Sequence, residues 1–308
     1  MARRVACKRG GGPSGESDWL EMNSEASLPL LVFVHLRKTA GTTAASVMRR
    51  QFGKGEVMNL NAPTIEAANR IWLSIPSQQR ARVRCLRGHL PCAANLFLPR
   101  RTRFFTILRD PVERVISEYY FNLRNAGERF HRILTRERMT LGQFVKSSLS
   151  AEVHNAQTRL LSGAGPGPCA KEQLVLAVRS LRDQMAVVGI TNRLDETLLL
   201  CRVVFGWRYP IYREVNVNRR RPSIDAIAPS TLAEIEEANS LDRRLYQFAC
   251  HRLEQLVREY RISTSQITRL QRASRIYGSF RRCIGFPREV WTEMQTASAR
   301  RRVARSPA

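Results

Sequence analysis

Negative charge is scarce in this chain: 26 Asp and Glu stand against 51 Lys and Arg in 308 residues, a formal net charge of +25. Such a field attracts polyanions from a distance without choosing among nucleic acid, an acidic glycan and a phosphorylated cofactor. Aromatic residues are also few, at 7%, and no nucleic-acid-binding motif is present, which argues against specific nucleic-acid recognition. No apolar run reaches the roughly 18 residues of a membrane-spanning helix; the stretch from Leu28 to Leu36 is stopped by Arg37 and Lys38. Seven cysteines, odd in number and never in a CxxC pair, suggest neither a zinc site nor a disulfide framework. No metal-ligand cluster is visible. Residues 1–28 lack the apolar core of a secretory signal, so a soluble, cytoplasmic protein with a disordered N-terminal segment over 1–28 is expected.

What the chain does have is enough apolar residue, 43%, for one large α/β domain. Leu30 to Leu36 is a short β-branched run of the kind that forms a buried parallel strand, and a Gly/Thr turn leads from it into helical register over Ala44–Gln51. A second strand–helix unit runs from Arg103–Leu108 through Arg109-Asp110-Pro111 into a helix over Val112–Arg124, with Asp110 as N-cap and Pro111 at the first helical position. A third joins Met185–Ile190, capped by Thr191, to a helix over Leu194–Phe205. Helices are expected over Leu141–Leu149, Asn155–Leu161, Lys171–Gln184, Thr231–Asn239 and Leu241–Tyr260, and a strand over Val83–Leu86. The alternation predicts a central parallel sheet flanked by helices, occupying 29–262, with a basic tail over 263–308.

The turn Arg37-Lys38-Thr39-Ala40-Gly41-Thr42-Thr43 places backbone N–H groups at a helix start, where unpaired donors and the helix dipole favour an anion. Lys38 adds a point charge, the hydroxyls of Thr42 and Thr43 add donors, and Gly41 allows close approach. A Walker A loop would carry its lysine after the second glycine; here the lysine precedes the only glycine. Alone, the turn reads equally well as an ordinary strand-to-helix connection.

The stretch Phe33-Val34-His35-Leu36-Arg37-Lys38-Thr39-Ala40-Gly41-Thr42-Thr43 resembles the FxHxPKTGGTS hallmark of the family 2 sulfotransferases, which include heparan and dermatan 2-O-sulfotransferases and bacterial members. Arg37 stands where that pattern has proline, and Ala40 where it has its first glycine, a change tolerated if Ala40 takes a negative φ. The run Arg109-Asp110-Pro111-Val112-Glu113-Arg114-Val115-Ile116-Ser117-Glu118-Tyr119-Tyr120 is similar to the family's RDPxxRxxSxYY. The resemblance implies a P-loop-like three-layer fold and the donor PAPS (3′-phosphoadenosine 5′-phosphosulfate) without a metal. It implies Arg109 and Ser117 on the 3′-phosphate, and His89 of Arg87-Gly88-His89 as the base, with His35 and His154 as alternatives. For Arg109 an ion pair with Asp110 or Glu113 is the competing assignment, for His35 a packing role, and for Tyr119 and Tyr120 helix packing.

Asn155-Ala156-Gln157-Thr158-Arg159-Leu160-Leu161-Ser162-Gly163 is similar to the family's N-x-QTR-x-LSG segment, so Gln157 and Arg159 either line the acceptor pocket or stabilise their own helix. Asn216-Val217-Asn218-Arg219-Arg220-Arg221-Pro222 is similar to its NVxxxRP loop, which implies that Arg219, Arg220 and Arg221 close over the donor phosphates. The expectation is a PAPS-dependent O-sulfotransferase acting on a carbohydrate or other glycan acceptor, with Lys38 stabilising the charge on the departing phosphate. The competing classes are a P-loop kinase using ATP and a basic anion- or nucleic-acid-binding protein with a vestigial phosphate loop.

Overall fold

The computed structural model describes residues 29–91, 98, 101–147, 149–165, 167–213 and 222–283. Its first strand, β1 (Leu30–Val34), is buried at every residue. There follow helix α1 (Gly41–Met48), strand β2 (Val57–Asn59), helix α2 (Ile65–Ser74), the single-turn helix α3 (Ser77–Arg80), and strands β3 (Cys85–Gly88) and β4 (Thr102–Leu108). Helices α4 (Pro111–Arg124), α5 (His131–Arg136), α6 (Leu141–Lys146), α7 (Ala156–Ser162) and α8 (Lys171–Asp183) lead to strand β5 (Met185–Ile190). Beyond it come α9 (Leu194–Phe205), α10 (Pro229–Ala238), α11 (Ser240–Glu259) and α12 (Thr264–Cys283).

The five strands form one all-parallel sheet in the order β2-β3-β1-β4-β5. Val32, Val34, Phe105, Ile107 and Val187 are fully buried, so the sheet is covered on both faces, as continuous apolar strands require. The fold is the expected α/β arrangement of a parallel sheet flanked by helices. From β1 the chain heads toward one sheet edge and from β4 toward the other, so a crevice opens at the carboxyl ends of these two central strands. A second apolar cluster, built on Ile116, Leu134, Phe144 and Ile235, packs α4, α5, α6 and α10 together beside that crevice.

Local signals placed most elements. Asp110 caps α4 by accepting from the Glu113 N–H at 3.1 Å, with Pro111 opening the helix. Thr191 is not the cap of α9: residues 191–193 form a 3₁₀ turn, and the Thr191 hydroxyl donates to Leu108 O at 3.0 Å, tying the end of β5 to that of β4. The basic stretch after 262 does not begin as a tail. Residues 264–283 form α12, with Leu270 fully buried, Ser274 Oγ accepting from Tyr212 N at 3.1 Å and Gln271 donating to Asp195 at 2.9 Å. Its buried positions are Leu270, Ser274 and Gly278, a stripe with little apolar character that an arginine-rich composition hides. The segments 1–28 and 284–308 lie outside the described residues, as do Arg219, Arg220 and Arg221. Among the described residues no helix is long and apolar enough to cross a membrane, and no group of three His, Cys, Asp or Glu could hold a metal.

Candidate active site

The loop after β1 is closed by Thr39, whose hydroxyl donates to Leu36 O at 2.9 Å and is fully buried. Two of its residues, Lys38 (φ 63°) and Ala40 (φ 61°), are left-handed. The condition of a negative φ at Ala40 is not met: alanine occupies a conformation that costs about 1–2 kcal/mol relative to the right-handed one and that glycine adopts freely. Ala40→Gly should raise stability by about 1 kcal/mol, read as a shift of the urea midpoint at unchanged slope. Ala40 is also the N-cap of α1, and it offers no side-chain acceptor. The N-cap residue of α1 makes no side-chain cap hydrogen bond and no acidic residue lies in the first turn, so this helix start fits an anion. At Gly41 a Cβ would lie 1.7 Å from His35 Nε2, so the imidazole rests on the glycine.

The loop is tied to α4 at two points and to Arg109, just before that helix, at a third. Arg37 Nη2 pairs with Glu118 at 3.1 Å and with Glu128 at 3.6 Å; Glu118 is buried, and it also accepts from Asn122 at 3.0 Å. Where the family pattern has proline, this chain holds the turn with the Arg37 ion pair. Lys38 Nζ lies 3.5 Å from the centre of the Phe121 ring, a cation–π contact. Burial pushes the Lys38 ammonium down to about 8, against the opposing pull of Glu118. Lys38 O accepts from Arg109 Nη1 at 3.2 Å, so the phosphate loop and the Arg109 motif meet directly.

Arg109 forms the ion pair with Glu113, at 2.8 Å, that competed with its phosphate assignment, while keeping one guanidinium nitrogen on the loop. Its main chain is clamped by Gln157, which accepts from Arg109 N at 3.0 Å and donates to Arg109 O at 2.9 Å. Ser117 lies two turns along α4 and is half-buried. The clamp is held in turn by a reciprocal exchange between α7 and α11. Asp242, fully buried, accepts from the N–H groups of Gln157 (3.1 Å) and Thr158 (2.7 Å) and from the Thr158 hydroxyl (2.8 Å). Asn155 Oδ1 accepts from the N–H groups of Leu241 and Asp242, both at 3.0 Å. Each helix thus caps the other. Gln157 and Arg159 both belong to this framework: Gln157 is buried against Arg109, and Arg159 donates to the carbonyls of His154, Ala151 and Gly167. Tyr119, packed on Phe144 and donating to Met139 O at 2.8 Å, has the packing role.

His89 follows β3 at the same end of the sheet. Its N–H donates to Asn61 Oδ1 at 2.8 Å and its carbonyl accepts from Ala62 N at 3.0 Å. Gly88 is obligatory there, since a Cβ would lie 1.9 Å from Leu60 O. The His89 ring places Nδ1 2.7 Å from His35 O. A carbonyl can only accept, so Nδ1 carries the proton and Nε2 presents its lone pair. The His35 ring stacks on that of His89, with centroids 4.6 Å apart, and on Phe33 at 5.4 Å. Burial lowers both imidazoles: His89 falls below the usual histidine range, and His35 goes to about 3, helped by the charges of His89, Arg87, Arg37 and Lys38. Both are neutral at pH 7, and both face a cleft of about 360 Å³ that Gly41 and Thr42 border on the other side. Nothing in the residue pattern flagged Glu118 or Asp242, because an acidic residue on an amphipathic helix looks solvated until its distant partner is known.

Residues 29–162 match the Sulfotransferase family (Sulfotransfer_2). Heparan-sulfate 6-O-sulfotransferase 1 of Homo sapiens is 27% identical over 275 residues, covering 71% of this chain and 64% of that protein; the Cricetulus griseus and Mus musculus forms are also 27% identical. The match thus spans just under two thirds of the length of these relatives. The mouse sulfotransferase SULT7A1 complexed with PAP aligns over 75% of this chain and 72% of its own at 13% identity, with a TM-score of 0.33. The 29–162 segment that matches this family is also the one that holds the α1 helix start and its junction with Arg109.

Proposed function

We propose that the protein transfers the sulfuryl group of PAPS to a hydroxyl of a carbohydrate-type acceptor, releasing PAP. The observation that carries this reading is the junction of the two anion-binding motifs, Arg109 Nη1 on Lys38 O, beside an imidazole whose free nitrogen faces the cleft. The N–H groups opening α1 and the Lys38 ammonium suit the phosphosulfate end of the donor, and the Arg109 guanidinium with the Ser117 hydroxyl suits its 3′-phosphate. PAPS supplies the activated sulfur–oxygen bond. His89 Nε2 takes the proton of the acceptor hydroxyl as its oxygen bonds to sulfur; the bond from sulfur to the phosphate oxygen breaks, and Lys38 stabilises the charge left there. The products are a sulfate ester, PAP and one proton, held first on His89. Positioning and charge stabilisation do most of the catalysis, as in phosphoryl transfer.

The experiment is PAP binding by calorimetry with ATP as competitor. The wild-type protein should bind PAP and be displaced by PAP but not by equimolar ATP. Lys38→Ala and Arg109→Ala should each weaken PAP at least about ten-fold, the loss expected for one charge-assisted contact. Equal binding of PAP and ATP, or unchanged PAP affinity in both variants, would remove the reading.

A further inference from the structure

The cleft beyond His89 carries an unbalanced charge. Its walls hold Arg87 and Arg49 with the amides of Asn59 and Asn61, and no carboxylate lines it among the described residues. Several arginines elsewhere in the molecule are matched to acids, among them Arg37 to Glu118, Arg109 to Glu113, Arg193 to Glu196 and Arg243 to Glu236. Arg87 has no carboxylate partner among the described residues, and it is not loose. Its Nε donates to Asn59 Oδ1 at 2.5 Å, across the β2–β3 pair in which Asn59 is its register partner, and its carbonyl accepts from Leu60 N at 2.9 Å. One edge of the guanidinium is thereby fixed to the sheet, which leaves the Nη1/Nη2 edge as a ready fork for an anion. Arg87 stands two residues before His89 on the same strand line. Alternation puts both side chains on one side, about 6.6 Å apart along the chain. That separation is comparable to one sugar ring.

We propose that Arg87, aimed by Asn59, reads a carboxylate or sulfate on the acceptor next to the hydroxyl that His89 deprotonates, and so sets a preference for an anionic over a neutral sugar. The proposal rests on the sulfotransferase reading for the identity of the reacting hydroxyl, and on the cleft alone for the anion. Arg87 is a specificity residue and Asn59 its positioning residue. Arg49, exposed at the end of α1, adds long-range attraction from the opposite wall.

The test uses a matched pair of probes: a uronic-acid-containing oligosaccharide and its carboxyl-reduced counterpart. Binding of each is measured by calorimetry on the full chain, alone and with saturating PAP. The wild-type protein should prefer the carboxylated probe at least about ten-fold, the discrimination expected of a charge-assisted fork. Arg87→Ala should bind both probes equally with PAP affinity unchanged, which shows the fold intact. Arg87→Lys should recover part of the preference, Asn59→Ala should reduce it, and His89→Ala should keep it. Equal affinity of the wild-type protein for the pair, or a preference that survives in Arg87→Ala, overturns the proposal. Failure of the wild-type protein to bind PAP would instead overturn the donor reading, while the probe pair measured on the protein alone still decides Arg87.

Discussion

His89→Ala is expected to lower turnover by about 10²- to 10⁴-fold with PAP affinity changed by less than about two-fold, the range in which a general base contributes. The split matters because His89 is anchored at three points, through N–H, C=O and Nδ1, and only its Nε2 is available for chemistry. Steady-state kinetics with a saturating donor measure the first quantity and calorimetry the second. A loss of less than about ten-fold would move the base elsewhere, with His35, stacked on the same ring, next in line. The pH profile adds an independent check. Burial lowers the His89 pKa, so the neutral, proton-accepting form persists below the ordinary histidine value of 6.5, and the acid limb of kcat/KM should lie below that pH. The same acidification weakens the fold. The unfolded chain gains protons at His35 and His89 near 6.5 that the folded chain does not take up, so their contribution to stability is present above 6.5 and lost as pH falls. Rates should therefore be read at a temperature well below the acid-shifted melting point.

The second large effect is on stability. Asp242→Ala should cost about 3–5 kcal/mol in denaturant unfolding, because it removes one partner of a buried polar network and leaves others unsatisfied. Two N–H groups of α7 and the Thr158 hydroxyl lose their acceptor. Arg114, 1% exposed, keeps Glu152 at 3.5 Å but loses the carboxylate 3.9 Å away. Asp242→Asn retains one carbonyl oxygen and should cost less. At low denaturant both variants should also weaken PAP, since the Gln157 clamp on Arg109 depends on the cap above it. A cost below about 1 kcal/mol for Asp242→Ala would mean that α7 does not need this cap.

The sheet was legible where its strands are continuous and apolar. Leu30–Val34, Phe104–Leu108 and Met185–Ile190 announce themselves because both faces are covered. The three-residue edge strand β2 and helix α2 were not recognised, although α2 carries a local signal: Thr64 caps it by accepting from Ala67 N at 3.2 Å, and Ala68 and Trp72 bury one face. At the site, residue pattern singled out the 37–43 loop, Arg109 and His89, and the structure places all three at the carboxyl end of the sheet. The contacts of Arg37, Gln157 and Arg159 were not legible because each is made outside its own motif: with Glu118, with the Arg109 main chain and with the carbonyls flanking α7. An arginine near a phosphate loop and an arginine holding a turn have the same local sequence signature. Only the tertiary partner separates them.

The exchange of caps between α7 and α11 also sets the order in which the protein can be completed. Asn155 and Asp242 bind each other's helices across 84 to 87 residues of chain, so the loop between them must close before either contact forms. Such long-range closure slows folding. The segment 29–162 contains the phosphate loop, His89 and Arg109, yet it ends at α7 and lacks both β5 and Asp242. During synthesis the 37–43 loop and Arg109 therefore leave the ribosome well before the residue that holds the Gln157 clamp on Arg109, and the proposed donor affinity should be among the last properties the nascent chain acquires.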